Sequence, residues 1–219
     1  TDKSMMVEVI QWIKNGENVV AAVAPAVAGQ FGPKVEVGQI VNGLSQLGFT
    51  HTAEVAQAAD EVARLEAEEF AEMVDEKGWL ASSCCPAFVE YIRTQFPEIA
   101  DHIAPTPSPM VLQGRKIKKE NPDYKVVFIG PCIAKKRESL QEDSCIDAVL
   151  TFEELGAMFE ARDIKLEELE RIDASFGKAT KYGRGFSVSG GVAEALEAAL
   201  NAQDLNAISN HISGRVKFW

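Results

Sequence analysis

Apolar residues at Met6, Val9, Ile10 and Ile13 recur at helical spacing and stop at Gly16, which predicts a first helix capped by Ser4. The β-branched run from Val19 to Val23 then reads as a buried strand ending at Pro25. Val37, Ile40, Val41, Leu44 and Leu47 form the stripe of a second helix closed by Gly48, with a short strand expected near Phe49. From Glu54 to Glu76 an acidic stretch carries Val55, Val62, Leu65, Phe70 and Val74, the pattern of a long helix solvated on one face. A short strand, Trp79 to Ala81, leads to a helix opened by Pro86, with Phe88, Val89 and Ile92 on its apolar face. Ser108-Pro109 opens a basic helix through Lys119, and strands are expected at Tyr124 to Ile129 and Ile146 to Leu150. Thr151 and Glu154 have the spacing of a capping box, and Ser189-Gly190-Gly191 opens a last helix from Val192 to Leu200.

Strands alternating with helices predict an α/β fold with mainly parallel sheets. Its 219 residues are enough for one large domain or two small ones, and 46% hydrophobic residues allow a sizeable core. With 22 basic and 33 acidic residues the net charge is −11, which makes nucleic-acid binding a poor expectation. The longest strongly apolar stretch, Val19 to Ala28, contains Pro25 and is far short of the roughly 20 residues that span a bilayer. Thr1-Asp2-Lys3-Ser4 shows no basic region followed by an apolar one, so no signal peptide is expected. Four cysteines, two of them adjacent, suit a reducing, cytoplasmic compartment better than a disulfide framework.

The chemistry points to metal or redox work. Cys84, Cys85 and Cys132 are expected where strands run into helix starts, where free N–H groups converge and a thiolate is favoured over a thiol. Two readings stand for them: thiolate ligands of one cluster, or small buried hydrophobes. The absence of a Cys-x-x-Cys pair argues against a thioredoxin-like dithiol and a zinc finger. His51, His102 and His211 form no ligand pattern and read as loop or helix-end residues; the stretch Arg115 to Lys119 reads as a solvated helix face.

Ser82-Ser83-Cys84-Cys85-Pro86-Ala87-Phe88 resembles the first signature of the [FeFe]-hydrogenase catalytic domain. Gly130-Pro131-Cys132-Ile133-Ala134-Lys135-Lys136-Arg137-Glu138 is similar to the second. Supporting similarities are Ala24-Pro25-Ala26-Val27, the Thr106-Pro107 context before Ser108-Pro109, and Ser189-Gly190-Gly191, so the likeness runs from about Val19 to Leu200.

The resemblance implies two βα lobes, residues 1–122 and 123–219, with an active-site cleft between them. It implies an H-cluster, a [4Fe-4S] cubane joined to a diiron unit, that interconverts protons plus electrons and dihydrogen. Cys85 and Cys132 would be cubane ligands, flanked by Ser83 and Pro131, and Cys84 the thiol that passes protons to the cofactor. Lys135 would hydrogen-bond a cyanide ligand, a use of a cation beside a fixed anion. Glu138 and Ser108 match motif and proton-path positions, with Glu66 and Glu69 as candidates for the outer path. The bland alternatives are a solvated helix face for Glu66 and Glu69, and an ordinary i, i+3 surface pair for Lys135 and Glu138.

Three departures qualify the likeness. Gly130 stands where many members carry Met, which would open the cofactor pocket, and Ser82 replaces the usual Thr. The family takes its last two cubane ligands from a third, downstream cysteine motif that this sequence does not contain, so the chain is expected to be cut before it. Cys145, the remaining cysteine, is expected to be a surface or loop thiol. The expected partners are a ferredoxin-like electron donor and hydrogenase maturation proteins, with activity belonging to an anaerobic full-length parent. The alternatives are a hydrogenase-like iron–sulfur or sensory module without appreciable turnover, and a scaffold that binds no cluster.

Overall fold

A computed structural model of the chain describes residues 3–172 and 179–202. His211 lies outside the described residues. Two compact units divide the chain: Thr1–Val55 with Met110–Lys178, and Ala56–Pro109 with Ala179–Trp219. They interleave along the sequence, whereas the sequence reading set one boundary between residues 122 and 123.

The first unit holds a four-stranded parallel sheet in the order β2-β1-β3-β4, formed by β1 (Val19–Val23), β2 (His51–Glu54), β3 (Lys125–Gly130) and β4 (Ala148–Thr151). Val23 pairs with Glu54 and with Ile129, and Gly130 pairs with Thr151, so the four strands end together at one edge of the sheet. Every residue of β1 and β4 is buried, the signature of a parallel sheet covered on both faces. The cover comes from α1 (Met6–Lys14) on β1 and β4, α2 (Val37–Leu47) on β2, and α7 (Phe152–Ala161) on β3 and β4. The core runs through Val9, Ile40, Leu44, Val126, Ile129, Leu150 and Leu155. Each fully buried Val, Leu or Ile of this kind contributes roughly 1.5–3 kcal/mol.

Local chemistry sets the boundaries. Gly48 takes φ +106 and closes α2, so the strand expected near Phe49 begins two residues later, at His51. Thr151 and Glu154 make the expected capping box on α7, with Thr151 Oγ1 accepting from the Glu154 N–H at 3.1 Å. The expected Ser4 cap is not one: Met5 occupies the cap position without a side-chain bond, while Ser4 Oγ accepts from the Met6 N–H at 3.3 Å. Helix α5 (Pro109–Glu120) passes close over residues 144–146 because Gly114 has no side chain; a Cβ there would sit 2.9 Å from the Ser144 carbonyl oxygen.

The second unit corrects the expectation of a second sheet. Among its described residues the only β pairing outside a named strand is the bridge between Ala81 and Ile103. Trp79 to Ala81 has no neighbouring strand to extend it, so the apolar run ends as a single rung. The unit is built instead on α3 (Ala56–Lys77), α8 (Lys181–Gly185) and α9 (Gly191–Ala202), with α4 (Pro86–Gln95) packed on a 3-10 turn at Pro97–His102. Asp60 on α3 accepts from the Thr180 N–H at 2.7 Å and the Gly183 N–H at 2.8 Å, which fastens the start of α8. The Ser189-Gly190-Gly191 turn serves packing: a Cβ on Gly191 would collide with the Gly185 carbonyl.

Candidate functional site

In the first unit the motif around Cys132 follows β3 at the carboxyl edge of the sheet, the customary position for ligands in open α/β sheets. Short helix α6 (Ala134–Glu138) then places Lys135 and Glu138 one turn apart. Lys135 Nζ lies 2.6 Å from Glu138 Oε2, and both side chains are about nine-tenths buried, at 11% and 9% exposure. That overturns the surface-pair reading, because a buried lysine and carboxylate need each other to offset desolvation. Beside them Lys136, also buried, donates to Glu154 Oε1 at 2.9 Å. Burial pushes the Glu154 carboxyl up, but bonds from Ser4, the Thr151 N–H and Lys136 outweigh it and hold the group below the usual carboxylate range.

At Gly130 there is no room for a side chain as the chain stands, because a Cβ would lie 2.7 Å from Cε1 of Phe128 and 3.2 Å from the Ala24 Cβ. The ring of Phe128, two residues back on the same face of β3, already fills the space.

In the second unit Cys85 is the cap residue of α4, with Pro86 in the first turn as its sequence requires. Its side chain is exposed, and those of Cys84 and Cys132 are partly so; none of the three is in a disulfide. Behind Cys84 lies a carboxyl pair on α3. Glu66 is 2% exposed, which removes the solvated-face reading for it. Its Oε1 accepts from Ser82 Oγ at 2.9 Å, from the Ser83 N–H at 3.0 Å and from Ser83 Oγ at 3.2 Å. Ser82 Oγ in turn accepts from the Cys84 N–H at 3.3 Å. Burial pushes the Glu66 carboxyl up, the serine donors oppose it, and the neighbouring Glu69 charge adds to the rise.

Glu69, one turn further along α3, is half-buried and takes a 2.5 Å bond from Thr106 Oγ1. Ser108, named from the sequence, is buried in the residue before α5. Sequence reasoning missed Thr106 and Ser82 as contacts of the carboxylates. The signal was the i, i+3 spacing of Glu66 and Glu69, which puts both on one helix face and calls for donors.

The remaining candidates carry no ligand geometry. Cys145 is a partly exposed loop thiol at φ +58. His51 is the first residue of β2 and stacks on Tyr124, a strand position where a loop or helix end was expected. His102 ends its 3-10 turn and stacks on Trp79 at 4.2 Å. On the partly exposed face of α5, Arg115 pairs with Asp143 and Lys118 with Asp147. Among the described residues no three His, Cys, Asp or Glu side chains gather as a ready metal site. No described helix is long and apolar enough to cross a membrane.

Comparison with known proteins agrees with these motifs. Residues 17–216 match the family described as iron only hydrogenase large subunit, C-terminal domain, and the chain belongs to that family. It is 31% identical to the periplasmic [Fe] hydrogenase large subunit of Nitratidesulfovibrio vulgaris, over 88% of this chain and 52% of that protein. Iron hydrogenase 1 of Clostridium pasteurianum is 30% identical over 82% of this chain and 36% of its own length. A shorter match, 34% identical over 38% of this chain and 18% of the relative, is to the cytosolic Fe-S cluster assembly factor NAR1 of Kluyveromyces lactis. The fold matches an [FeFe]-hydrogenase HydA1 variant from Chlamydomonas reinhardtii with a TM-score of 0.76 at 23% identity, over 91% of this chain and 58% of that one. The chain thus spans about half or less of the curated hydrogenases it matches. Those relatives' names place one protein in the periplasm and another in the cytosol.

Proposed function

We propose that this chain is the part of a cytoplasmic [FeFe]-hydrogenase catalytic domain that carries the first two cysteine motifs and the proton path. The whole protein would interconvert protons plus electrons and dihydrogen. The observation that carries this reading is Glu66, a buried carboxyl of raised proton affinity whose serine partner also bonds the main chain of Cys84. A carboxyl held in that state takes up and releases a proton in place, as a relay requires.

The donor set suits an iron–sulfur cluster, because unbridged thiols at accessible positions are the ligands such clusters use. Cys85 and Cys132 would each hold the cubane, flanked by Ser83 and Pro131, and two further thiolates would come from polypeptide outside these 219 residues. When bound, the cofactor supplies the electron and hydrogen chemistry. Cys84 Sγ would give and take the proton on the cofactor side. Glu66, Glu69 and Ser108 would conduct it, and Lys135, held by Glu138, would present its ammonium to an anionic ligand. A ferredoxin-like donor and hydrogenase maturation proteins are the proposed partners.

One relative and one position favour a second reading, an iron–sulfur module without appreciable turnover. The relative is the Fe-S cluster assembly factor, and the position is Gly130, where Phe128 fills the side-chain space. Anaerobic reconstitution of the complete protein, with iron and sulfide analysis and an infrared spectrum in the CO and cyanide region, separates the readings. Both cubane iron and those bands are expected for the hydrogenase. Cubane iron after maturation without the bands would leave the module, and no iron would remove both.

A further inference from the structure

Lys135 and Lys136 are neighbours in α6, yet their ammonium groups go separate ways. Lys135 pairs with Glu138 on its own helix, whereas Lys136 crosses to other segments. Its Nζ donates to Glu154 Oε1 at 2.9 Å and to the Lys3 carbonyl oxygen at 3.3 Å. The same carboxylate accepts from the Ser4 hydroxyl, and its Oε2 accepts from the Thr151 N–H at 2.8 Å. One residue on, Met5 Sδ accepts from the Val149 N–H at 3.2 Å, which closes a donor on β4, the last strand of the sheet. Three consecutive residues ahead of α1 are thus tied to α6, to the first turn of α7 and to the edge of β4.

The tie matters because α6 has only five residues. A helix so short has too few internal hydrogen bonds to hold itself and depends on packing. Lys136 is 6% exposed and lies about 100° round the helix from Lys135, so fixing its ammonium fixes the rotation of α6 about its axis. That rotation decides which way Lys135 and Glu138 face.

We propose that Lys136 is a positioning residue for the second cysteine motif, and that Lys3-Ser4-Met5 is the strap that holds it in place. Lys136 touches no reacting group; it sets the orientation in which Lys135 follows Cys132. The use of Lys135 toward an anionic ligand rests on the function proposed above, whereas the strap is a matter of this chain alone.

Hydrogen exchange of the chain as it stands reads how firmly α6 is held, with no cofactor required. The amides of Lys135, Lys136 and Ser139 bond to the Cys132, Ile133 and Lys135 carbonyls and report on the motif. Ser4→Ala removes one bond of the strap and should speed their exchange about 5-fold, as the net loss of one hydrogen bond implies. Lys136→Met should speed it further, and Lys136→Arg, which keeps a cation beside Glu154, should recover part of the protection. Ser4 is exposed, so Ser4→Ala keeps the comparison open should Lys136→Met not fold. Parental exchange in α6 with either Ser4→Ala or Lys136→Met would overturn the proposal, even if the amides of β1 and β3 quicken, because the strap would then stabilise the sheet without holding the motif.

In the loaded complete protein, Ser4→Ala and Lys136→Met should shift the cyanide stretching bands and leave the iron content unchanged. Bands that stay in place would count against the positioning of Lys135. If the unsubstituted protein shows no such bands, the hydrogenase reading fails, and the exchange result still decides how α6 is held.

Discussion

The ring of Phe128 stands where a side chain on Gly130 would begin, with Cε1 2.7 Å and Cζ 2.9 Å from the ideal Cβ position. Phe128 is 4% exposed and packed in the core, so it cannot swing into solvent to make room. Gly130→Ala should therefore cost about 1–3 kcal/mol of stability, the usual penalty for overpacking, and Gly130→Met more. Phe128→Ala alone should cost about 3–5 kcal/mol by leaving a cavity. Combined with Gly130→Met it should cost less than the two changes added together, because the new chain fills part of that cavity. Urea unfolding of the four proteins measures the coupling; strict additivity would show that the two side chains do not compete for one space.

Replacing the thiols one at a time separates ligands from relay. Cys85→Ser and Cys132→Ser should each lower the iron retained after anaerobic reconstitution of the complete protein, since serine is a poor substitute for a soft thiolate. Cys84→Ser should keep the cubane iron yet lose most turnover, and Cys145→Ser should change neither. Full iron content in either of the first two variants would remove that cysteine from the ligand set.

The raised proton affinity of Glu66 has a sign that can be followed. Burial is its largest cause, so the folded chain holds this proton to higher pH than the unfolded chain does. Between those two values the folded state binds more protons. The stabilising contribution is complete below the unfolded value and is lost as pH rises through the folded one. Glu66→Gln removes that loss and should flatten the dependence of the urea midpoint on pH just above the ordinary carboxylate range. An unchanged slope would show that the carboxyl titrates alike in both states.

Lys136 and Glu154 behave in the opposite sense. Their side chains are 7% and 14% exposed, so Lys136→Met leaves a largely buried carboxylate short of its cation and should cost about 3 kcal/mol. Glu154 is held below its ordinary value, so its contribution is present above the unfolded carboxylate value and disappears as pH falls through the folded one. The Lys136→Met penalty should accordingly be largest near neutral pH and shrink in acid. A penalty that does not vary with pH would assign the loss to packing of the lysine stem alone.

Much of the fold was legible because short-range rules govern it. The run Val19 to Val23 became a fully buried strand, Pro86 opened α4, and Thr151 with Glu154 capped α7, each from residues within one turn of the feature. The run Trp79 to Ala81 failed as a strand for want of neighbours, which lie elsewhere in the chain. The interleaving of the two units escaped a reading that moves in one direction along the sequence, since it depends on which segments share a core. Lys135 and Glu138 stood out in the sequence, but their burial as an ion pair was not visible in an i, i+3 spacing that serves surface pairs equally well.

Taken by itself, the order of residues determined where most helices and the central strands lie, that the sheet is parallel, and which thiols and carboxyls are candidates for chemistry. It did so because capping, turn formation and hydrophobic periodicity act over a few residues. Tertiary structure alone decided that Glu66 is enclosed by Ser82 and Ser83, that Thr106 reaches Glu69, and that Phe128 closes the space beside Gly130. The first two depend on groups brought together from 16 to 37 positions apart, and the third on a ring pressed into place by the surrounding core. Desolvation and steric exclusion are properties of the assembled interior, and no local pattern encodes them.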